Sequence, residues 1–248
     1  MYGKRLRGLA LTTAAVLTLT LALVFFWAPN DATLGFLQKI FYVHVPLAIV
    51  TLCGFIAGGL MAIQHLRTRD PRWDVRSYVA IHISLVFGVG VLVTGSIWAK
   101  GAWGHWWVWS EPTLVSFLLI MLLYATYQPL RFAIEDPERQ ARAASVFAIT
   151  AGVFVPINFA IVRLSTAYVH PRTLSNISGT LPGRMQVVFY LAMVSVAMLW
   201  ITLWRYEMSS KHASAQLRTL KRVLGGDEDE APARRSAAPS VTHLGGVP

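Results

Sequence analysis

Two histidines and a run of four tryptophans are the residues of this chain with the most specific chemistry. His44 lies in the segment KIFYVHVP, His170 lies in TAYVHPR, and the tryptophans are found within WGHWWVWSEP, residues 103–112. Imidazole is a common metal ligand, and the indole of tryptophan is a large flat apolar ring with one N–H donor. If these residues meet on one side of the molecule, they can enclose a planar metal complex.

Haem is a planar complex that suits this set of side chains. Histidine is a frequent axial ligand of haem iron, so two histidines from different loops can approach the iron from opposite sides. Indole rings can cover the apolar porphyrin edge, and the anionic propionates can pair with Lys39, Arg172 or Arg184.

Simpler explanations of the same residues stay open. Interfacial histidines often only pack helices, and tryptophans are common at membrane–water interfaces. The offsets of Trp103, Trp106 and Trp107 match one face of an amphipathic turn lying flat on the membrane. Near the end of the fifth apolar stretch, Asn158 is expected to form a packing hydrogen bond and Arg163 to extend toward the membrane surface.

The composition predicts that membrane helices position these residues. Of the 248 residues, 55% are hydrophobic and only 14% are charged, whereas soluble domains carry about 25% charged residues. The formal charge of +10 would suggest nucleic acid in a soluble protein. Here Lys and Arg lie mainly in short loops and in the tail, as in membrane proteins, so we predict no nucleic-acid partner.

Six apolar stretches are each close to the roughly 20 residues that a helix needs to cross a bilayer. They cover residues 8–27, 41–63, 77–98, 113–130, 143–162 and 185–204. We therefore predict an all-α integral membrane protein with six transmembrane helices. The first stretch has the charged start of a signal peptide, but its length and its aromatic end indicate a retained helix.

Basic residues predict the orientation of the helices and the limits of the membrane domain. Arginines fill the second and fourth loops, which places both termini in the cytoplasm and the candidate site at the outer face. Residues 1–204 are expected to form the six-helix domain, and residues 205–224 a basic cytoplasmic helix. Residues 225–248 cannot bury a core and are expected to be disordered. With no hydrolytic or transferase constellation in the sequence, we predict that the protein is not an enzyme.

The segment VTGSIWAKGAWGHWWVWSEPTLVS resembles the tryptophan-rich signature, W-G-x-x-W-x-W-D, of the haem-handling proteins of cytochrome c maturation. The six-helix layout, KIFYVHVP before the second apolar run and a histidine in the last outer loop are similar to the small members of that family. The similarity covers roughly residues 30 to 204. The larger members carry many more helices and are excluded by length.

The resemblance implies a set of site residues. His44 and His170 would ligate the iron, and Lys39 would be the family's basic residue five positions before the first histidine. The haem would be a non-covalent haem b, because the chain has no C-x-x-C-H attachment sequence. The platform under the haem would be formed by Trp103, Gly104, Trp106 and Trp109, and we expect Trp107, from the same run, to contact the haem as well.

The resemblance also implies a function in the bacterial cytoplasmic (inner) membrane. The protein would hold haem at the outer face and load it onto a membrane-anchored haem chaperone, which supplies apocytochrome c. Besides membrane lipid, the implied partners are that chaperone, an ATP-binding-cassette pair and a small single-helix subunit. A b-type cytochrome electron-transfer subunit and a haem transporter stay open as alternatives. Histidines at helix ends disfavour the former, and few mid-membrane polar residues disfavour the latter.

The chain departs from the signature at its end. Ser110 stands in place of the closing aspartate, and Pro112 in place of the basic residue that often follows. Losing both charges of a pair is easier to tolerate than losing one and leaving the other unpaired. Glu111 can supply a carboxylate one position later, and the role of this edge stays open, as does that of His105.

Overall fold

The computed structural model describes residues 2–165, 169–170 and 183–235. Six helices in these ranges are long and apolar enough to cross a membrane, which confirms the predicted all-α membrane fold. The helices are α1 (Tyr2–Phe26), α2 (Phe41–Thr68), α3 (Pro71–Trp103), α4 (Pro112–Ala125), α5 (Tyr127–Phe132), α6 (Pro137–Leu164) and α7 (Gly183–Arg235). The fourth span is made by α4 and α5 together, and a 3₁₀ helix, Phe36–Ile40, leads into α2.

Proline and a capping carboxylate define where three of the helices begin. Asp70, Glu111 and Asp136 each precede a proline at the first helical position. The carboxylates of Asp70 and Asp136 accept backbone N–H groups at 2.9 and 2.7 Å. Such a cap satisfies amides that have no partner within the helix. α3 and α6 begin at Pro71 and Pro137, before the apolar stretches that were predicted from residues 77 and 143. Hydropathy does not detect the polar first turns of these helices, so the predicted starts were too late.

The central helix is α2, along which α3 and α6 both pack. α2 and α6 approach most closely where Gly59 faces Gly152. A Cβ added at Gly59 would lie 3.1 Å from the Ala148 carbonyl oxygen and 3.4 Å from the Gly152 Cα. Small residues allow the two backbones to approach this closely. In a bilayer the hydrophobic effect does not drive helices together, so close van der Waals packing of this kind stabilises their association. Beside the contact, the rings of Phe55 and Tyr124 stack with centroids 3.8 Å apart.

Hydroxyl and indole groups attach the first part of α7 to two other helices. The Thr20 hydroxyl of α1 is 2.5 Å from the Ser195 hydroxyl of α7. The Trp200 indole N–H donates to the Ser84 hydroxyl of α3 at 3.0 Å. In a bilayer these polar groups find partners on neighbouring helices, so the bonds fix the position of this first part of α7.

A buried ion pair joins α3 to α5. Arg131 donates to the two carboxylate oxygens of Asp74 at 2.7 and 2.5 Å, and to the Tyr127 hydroxyl at 3.3 Å. The side chains of Arg131 and Asp74 are only 10% and 9% exposed. This two-pronged geometry satisfies both charges away from water, near the start of α3.

The chain divides into two compact units, the first ending at Tyr206 and the second beginning at Glu207. The second unit is helical as far as Arg235, and Lys211 forms an ion pair with Glu207 at 3.3 Å. Residues 236–248, which belong to the tail expected to be disordered, lie outside the described residues. The division into a membrane domain, a basic helix and a tail stays a prediction.

Candidate functional site

A cavity of about 400 Å³ lies between α2, α3, α4 and α6. Its size is within the range of about 300–1,000 Å³ that is typical of small-molecule sites. His44 and His170 both line it, although they come from the second span and from the segment after the fifth. The walls are mainly apolar, with side chains that include Val45, Ile49, Leu52, Leu92, Phe117 and Ile120.

His44 lies in the first turn of α2, where its ring is held by α3. Its Nδ1 is 3.0 Å from the Thr94 hydroxyl oxygen. The Thr94 hydroxyl itself donates to the Gly90 carbonyl at 2.7 Å, so its oxygen accepts from His44. This network assigns the ring proton to Nδ1 and leaves the Nε2 lone pair of His44 for a metal.

Gly95, also on α3, provides the space for the His44 ring. A Cβ added at Gly95 would lie 2.8 Å from His44 Cε1, which is closer than side-chain carbons pack. Any side chain at this position would therefore displace the imidazole from its bond to Thr94.

His170 reaches the cavity from the segment that follows α6. Its ring meets the Trp103 ring at an angle of 66°, with centroids 6.2 Å apart. The backbone N–H groups of Val169 and His170 donate to Oε2 of Glu111 at 2.9 and 3.2 Å. Arg172, a predicted counter-charge, lies outside the described residues.

The tryptophan run divides into two pairs. Trp103 and Trp107 line the cavity, whereas Trp106 and Trp109 are 60% and 73% exposed. Gly104 takes a left-handed conformation, with φ +78°, that favours glycine and ends α3. Residues 105–111 are not helical, so Trp106 does not share the face of Trp103, and the expected amphipathic turn is absent from this segment. His105 is exposed and lies outside the cavity lining.

Two of the predicted counter-charges are not among the residues that line the cavity. The Lys39 ammonium donates to the Ala28 carbonyl at 2.5 Å, and the residue is only 4% exposed. The Arg184 guanidinium lies over the Trp27 ring, 5.6 Å from its centroid. Lys39 therefore fastens the segment before α2, and neither cation is part of the cavity wall.

Asn158 and Arg163 line the cavity, although the sequence suggested only structural roles for them. The Arg163 guanidinium lies over the Phe159 ring, 5.1 Å from its centroid, and gives the wall a positive charge. The signal that could have found them is spacing. Val155, Asn158, Phe159, Val162 and Arg163 follow the three- and four-residue steps of one helix face, and all five line the cavity.

A negative charge lies on another part of the cavity wall. The Asp31 carboxylate accepts the backbone N–H groups of Leu34 and Thr33, each at 2.8 Å. These hydrogen bonds lower the pKa of Asp31, so the carboxylate is ionised at neutral pH. An anionic ligand group is therefore favoured beside Arg163 and disfavoured beside Asp31.

The departure from the signature has a structural explanation at Glu111. This side chain is 0% exposed and caps α4, with Oε1 accepting the Thr113 N–H at 3.4 Å. Oε2 accepts the two amides of the His170 segment, and Pro112 begins the helix. Glu111 is not part of the cavity lining, but its carboxylate accepts hydrogen bonds from the segment that carries His170.

Comparison with known proteins shows the family. The family model for heme exporter protein C matches residues 1–223. The chain is 30% identical over 199 residues to the heme exporter protein C of Bradyrhizobium diazoefficiens, covering 78% of this chain and 74% of that protein. It is 34% identical over 147 residues to that of Rhodobacter capsulatus, covering 58% and 60%, and 29% identical over 195 residues to that of Paracoccus denitrificans, covering 77% and 79%. Since the family model matches most of its length, the chain belongs to the heme exporter protein C family.

Proposed function

We propose that this protein, in the bacterial inner membrane, holds haem between His44 and His170 and delivers it for cytochrome c maturation. Two histidines that are far apart in the sequence line one apolar cavity, and this observation supports the proposal most directly. The family to which the chain belongs is named for haem export. Porphyrin already supplies four nitrogens to the iron, so one or two protein ligands complete its coordination.

The other groups of the cavity suit haem as well. Trp103 and Trp107 offer flat apolar rings to a porphyrin. The Nε1 of Trp107 is buried and has no hydrogen-bond partner within the described ranges, so a bound carboxylate oxygen would satisfy it. Arg163 adds a positive charge for a propionate. In place of Lys39 and Arg184, we therefore propose Trp107 and Arg163 as the propionate contacts, and Arg172 keeps its predicted role.

The haem is proposed to be haem b, bound without a covalent link. The only cysteine of the sequence is Cys53, which is exposed and does not line the cavity. A ligand held only by coordination and packing can leave again, as delivery requires. We further propose that the protein is not an enzyme, since its cavity wall supplies ligands, flat rings and charges suited to holding haem.

We place the cavity at the outer face of the membrane. At the other ends of these helices, arginines flank the α2–α3 and α5–α6 connections, which is typical of cytoplasmic ends; they are Arg67, Arg69, Arg72, Arg76, Arg131, Arg139 and Arg142. A membrane-anchored haem chaperone on the outer side would then receive the haem. We propose that the exposed rings of Trp106 and Trp109 contact that chaperone or the departing haem. The proposed assembly also contains an ATP-binding-cassette pair and a small single-helix subunit.

The protein purified in detergent and supplied with haem is expected to carry haem that a pyridine haemochrome assay identifies as b type. Acid and organic solvent should extract all of it, because no cysteine lies in the cavity wall. Protein without bound haem would refute the proposed function. Adding the haem-free chaperone should remove the haem; rapid reduction by a quinol without such transfer would instead favour an electron-transfer subunit.

Thr94→Val should weaken haem binding by roughly 10- to 100-fold, the usual effect of removing a group that orients a metal-bound histidine. Valine has the same shape but no oxygen to accept from Nδ1 of His44, so the ring loses its fixed orientation. Haem titration followed by absorbance measures the change. Thr94→Ser keeps the hydroxyl and should bind like the wild type, whereas equal loss in both variants would contradict this role of the hydroxyl.

A further inference from the structure

Glu111 is a buried carboxylate whose two oxygens contact different segments. Oε1 accepts the Thr113 N–H of its own helix at 3.4 Å. Oε2 accepts the N–H groups of Val169 and His170, at 2.9 and 3.2 Å, from the segment that follows α6. A carboxylate with 0% exposure is costly unless its oxygens are hydrogen-bonded, and these amides supply the bonds. Glu111 therefore joins the start of α4 to the segment of His170.

The other capping carboxylates of the bundle do not make such a link. Asp70 and Asp136 accept amides of α3 and α6, the helices that they cap. An N-cap carboxylate needs one oxygen for this purpose, and the second oxygen of Glu111 accepts the amides of another segment. The extra methylene of glutamate gives that oxygen additional reach. The carboxylate that follows the tryptophan run thus serves both as a helix cap and as an anchor.

The anchor acts on the backbone of His170, while His44 is held through its ring by Thr94. One of the two hydrogen bonds to Oε2 ends on the amide of His170 itself, so it restrains the Cα from which the imidazole projects. The ring of His170 also meets Trp103 on the cavity wall. Without these hydrogen bonds to Glu111, the imidazole of His170 would occupy its position at the cavity wall for a smaller fraction of the time.

We propose that Glu111 is a positioning residue for His170, and that haem binding through His170 depends on its carboxylate. Glu111 has this role only if the proposed function is right, because His170 must first be a haem ligand. The two statements fail separately, since the restraint on the segment exists without haem and can be measured in the haem-free protein.

Glu111→Ala should bind haem roughly 10- to 100-fold more weakly than the wild type, as loss of a supporting hydrogen bond to a ligand does. Its haem spectrum should resemble that of His170→Ala. Glu111→Gln, which keeps one acceptor oxygen, should fall between Glu111→Ala and the wild type. Asp136→Ala is the matched control, because it removes a capping carboxylate from α6 without touching either histidine segment. Wild-type affinity in Glu111→Ala would overturn the proposal.

Adding Glu111→Ala to His170→Ala should cause no further loss of haem affinity, because the anchor acts through that histidine. An additional loss as large as in the wild-type background would overturn the proposal. In haem-free protein, the amides of Val169 and His170 should exchange with deuterium faster in Glu111→Ala than in Asp136→Ala. Equal exchange would also overturn it, whatever the haem result. Haem binding unaffected by His170→Ala would instead contradict the proposed ligand.

Discussion

Protein in which His44 and His170 are both replaced by alanine is expected to lose essentially all bound haem. The two imidazoles are the proposed iron ligands on the cavity wall, and without them the apolar walls alone must hold the porphyrin. Each single variant should keep weakened binding with an altered absorption spectrum, since one ligand remains. Pyridine haemochrome analysis of equal amounts of purified protein gives the haem content, and spectra of the same samples report the ligands.

His82→Ala is the matched control for this experiment. His82 lies on α3, accepts a hydrogen bond from the Gln128 side chain at 2.8 Å, and stacks on Tyr78. It is outside the cavity lining, so its loss should leave haem content unchanged. If the double histidine variant and His82→Ala retained the same amount of haem, the ligand assignment would be wrong.

Arg131→Ala should lower the free energy of unfolding by about 3–5 kcal/mol, the usual cost of leaving one member of a buried ion pair without its partner. The remaining Asp74 carboxylate would be buried at 9% exposure without the two hydrogen bonds that Arg131 donates. Unfolding in mixed micelles, followed by circular dichroism, measures the change. Wild-type stability of this variant would show that the pair contributes nothing to the fold.

Arg142→Ala is the corresponding control on the surface. Arg142 pairs with Glu138 at 3.2 Å, but the two side chains are 62% and 81% exposed. Exposed pairs of this kind contribute at most about 1 kcal/mol, because water screens them. Replacing Asp74 and Arg131 together with Asn and Gln should recover part of the stability, since no lone charge remains in the bundle.

Hydropathy was sufficient to predict the six spans, because each helix must present about 20 apolar residues to lipid. The helix starts were harder to predict, because α3 and α6 each begin with a polar turn that hydropathy does not detect. In both helices an aspartate, Asp70 or Asp136, caps this turn and is followed by a proline. The two histidines were selected from residue type and predicted topology, and the structure brings both to one cavity. Their ligand role stays a prediction.

The supporting residues depend on contacts that the sequence does not display. The spacing of Trp103 and Trp106 places them on one face only if the run is helical. In the structure α3 ends at Gly104, so Trp106 is exposed and does not share the face of Trp103. Lys39 has the expected position in the sequence, yet its ammonium binds a carbonyl of the preceding loop. Arg163 belongs to a visible helical face, but nothing in the sequence indicates that this face borders a cavity. Such roles arise only once distant segments are folded together.

The contact between Gly59 and Gly152 lies outside the cavity lining, but it brings together two of the helices that line the cavity. α2 and α6 meet there at backbone distance, and residues of the same two helices also line the cavity. The distance between two packed helices at any point depends on their separation where they cross and on the angle between their axes. A side chain at Gly59 would push α2 and α6 apart at this contact, and we expect this to change the width of the cavity. The width of the cavity is thus expected to depend partly on a helix contact that lies outside its wall.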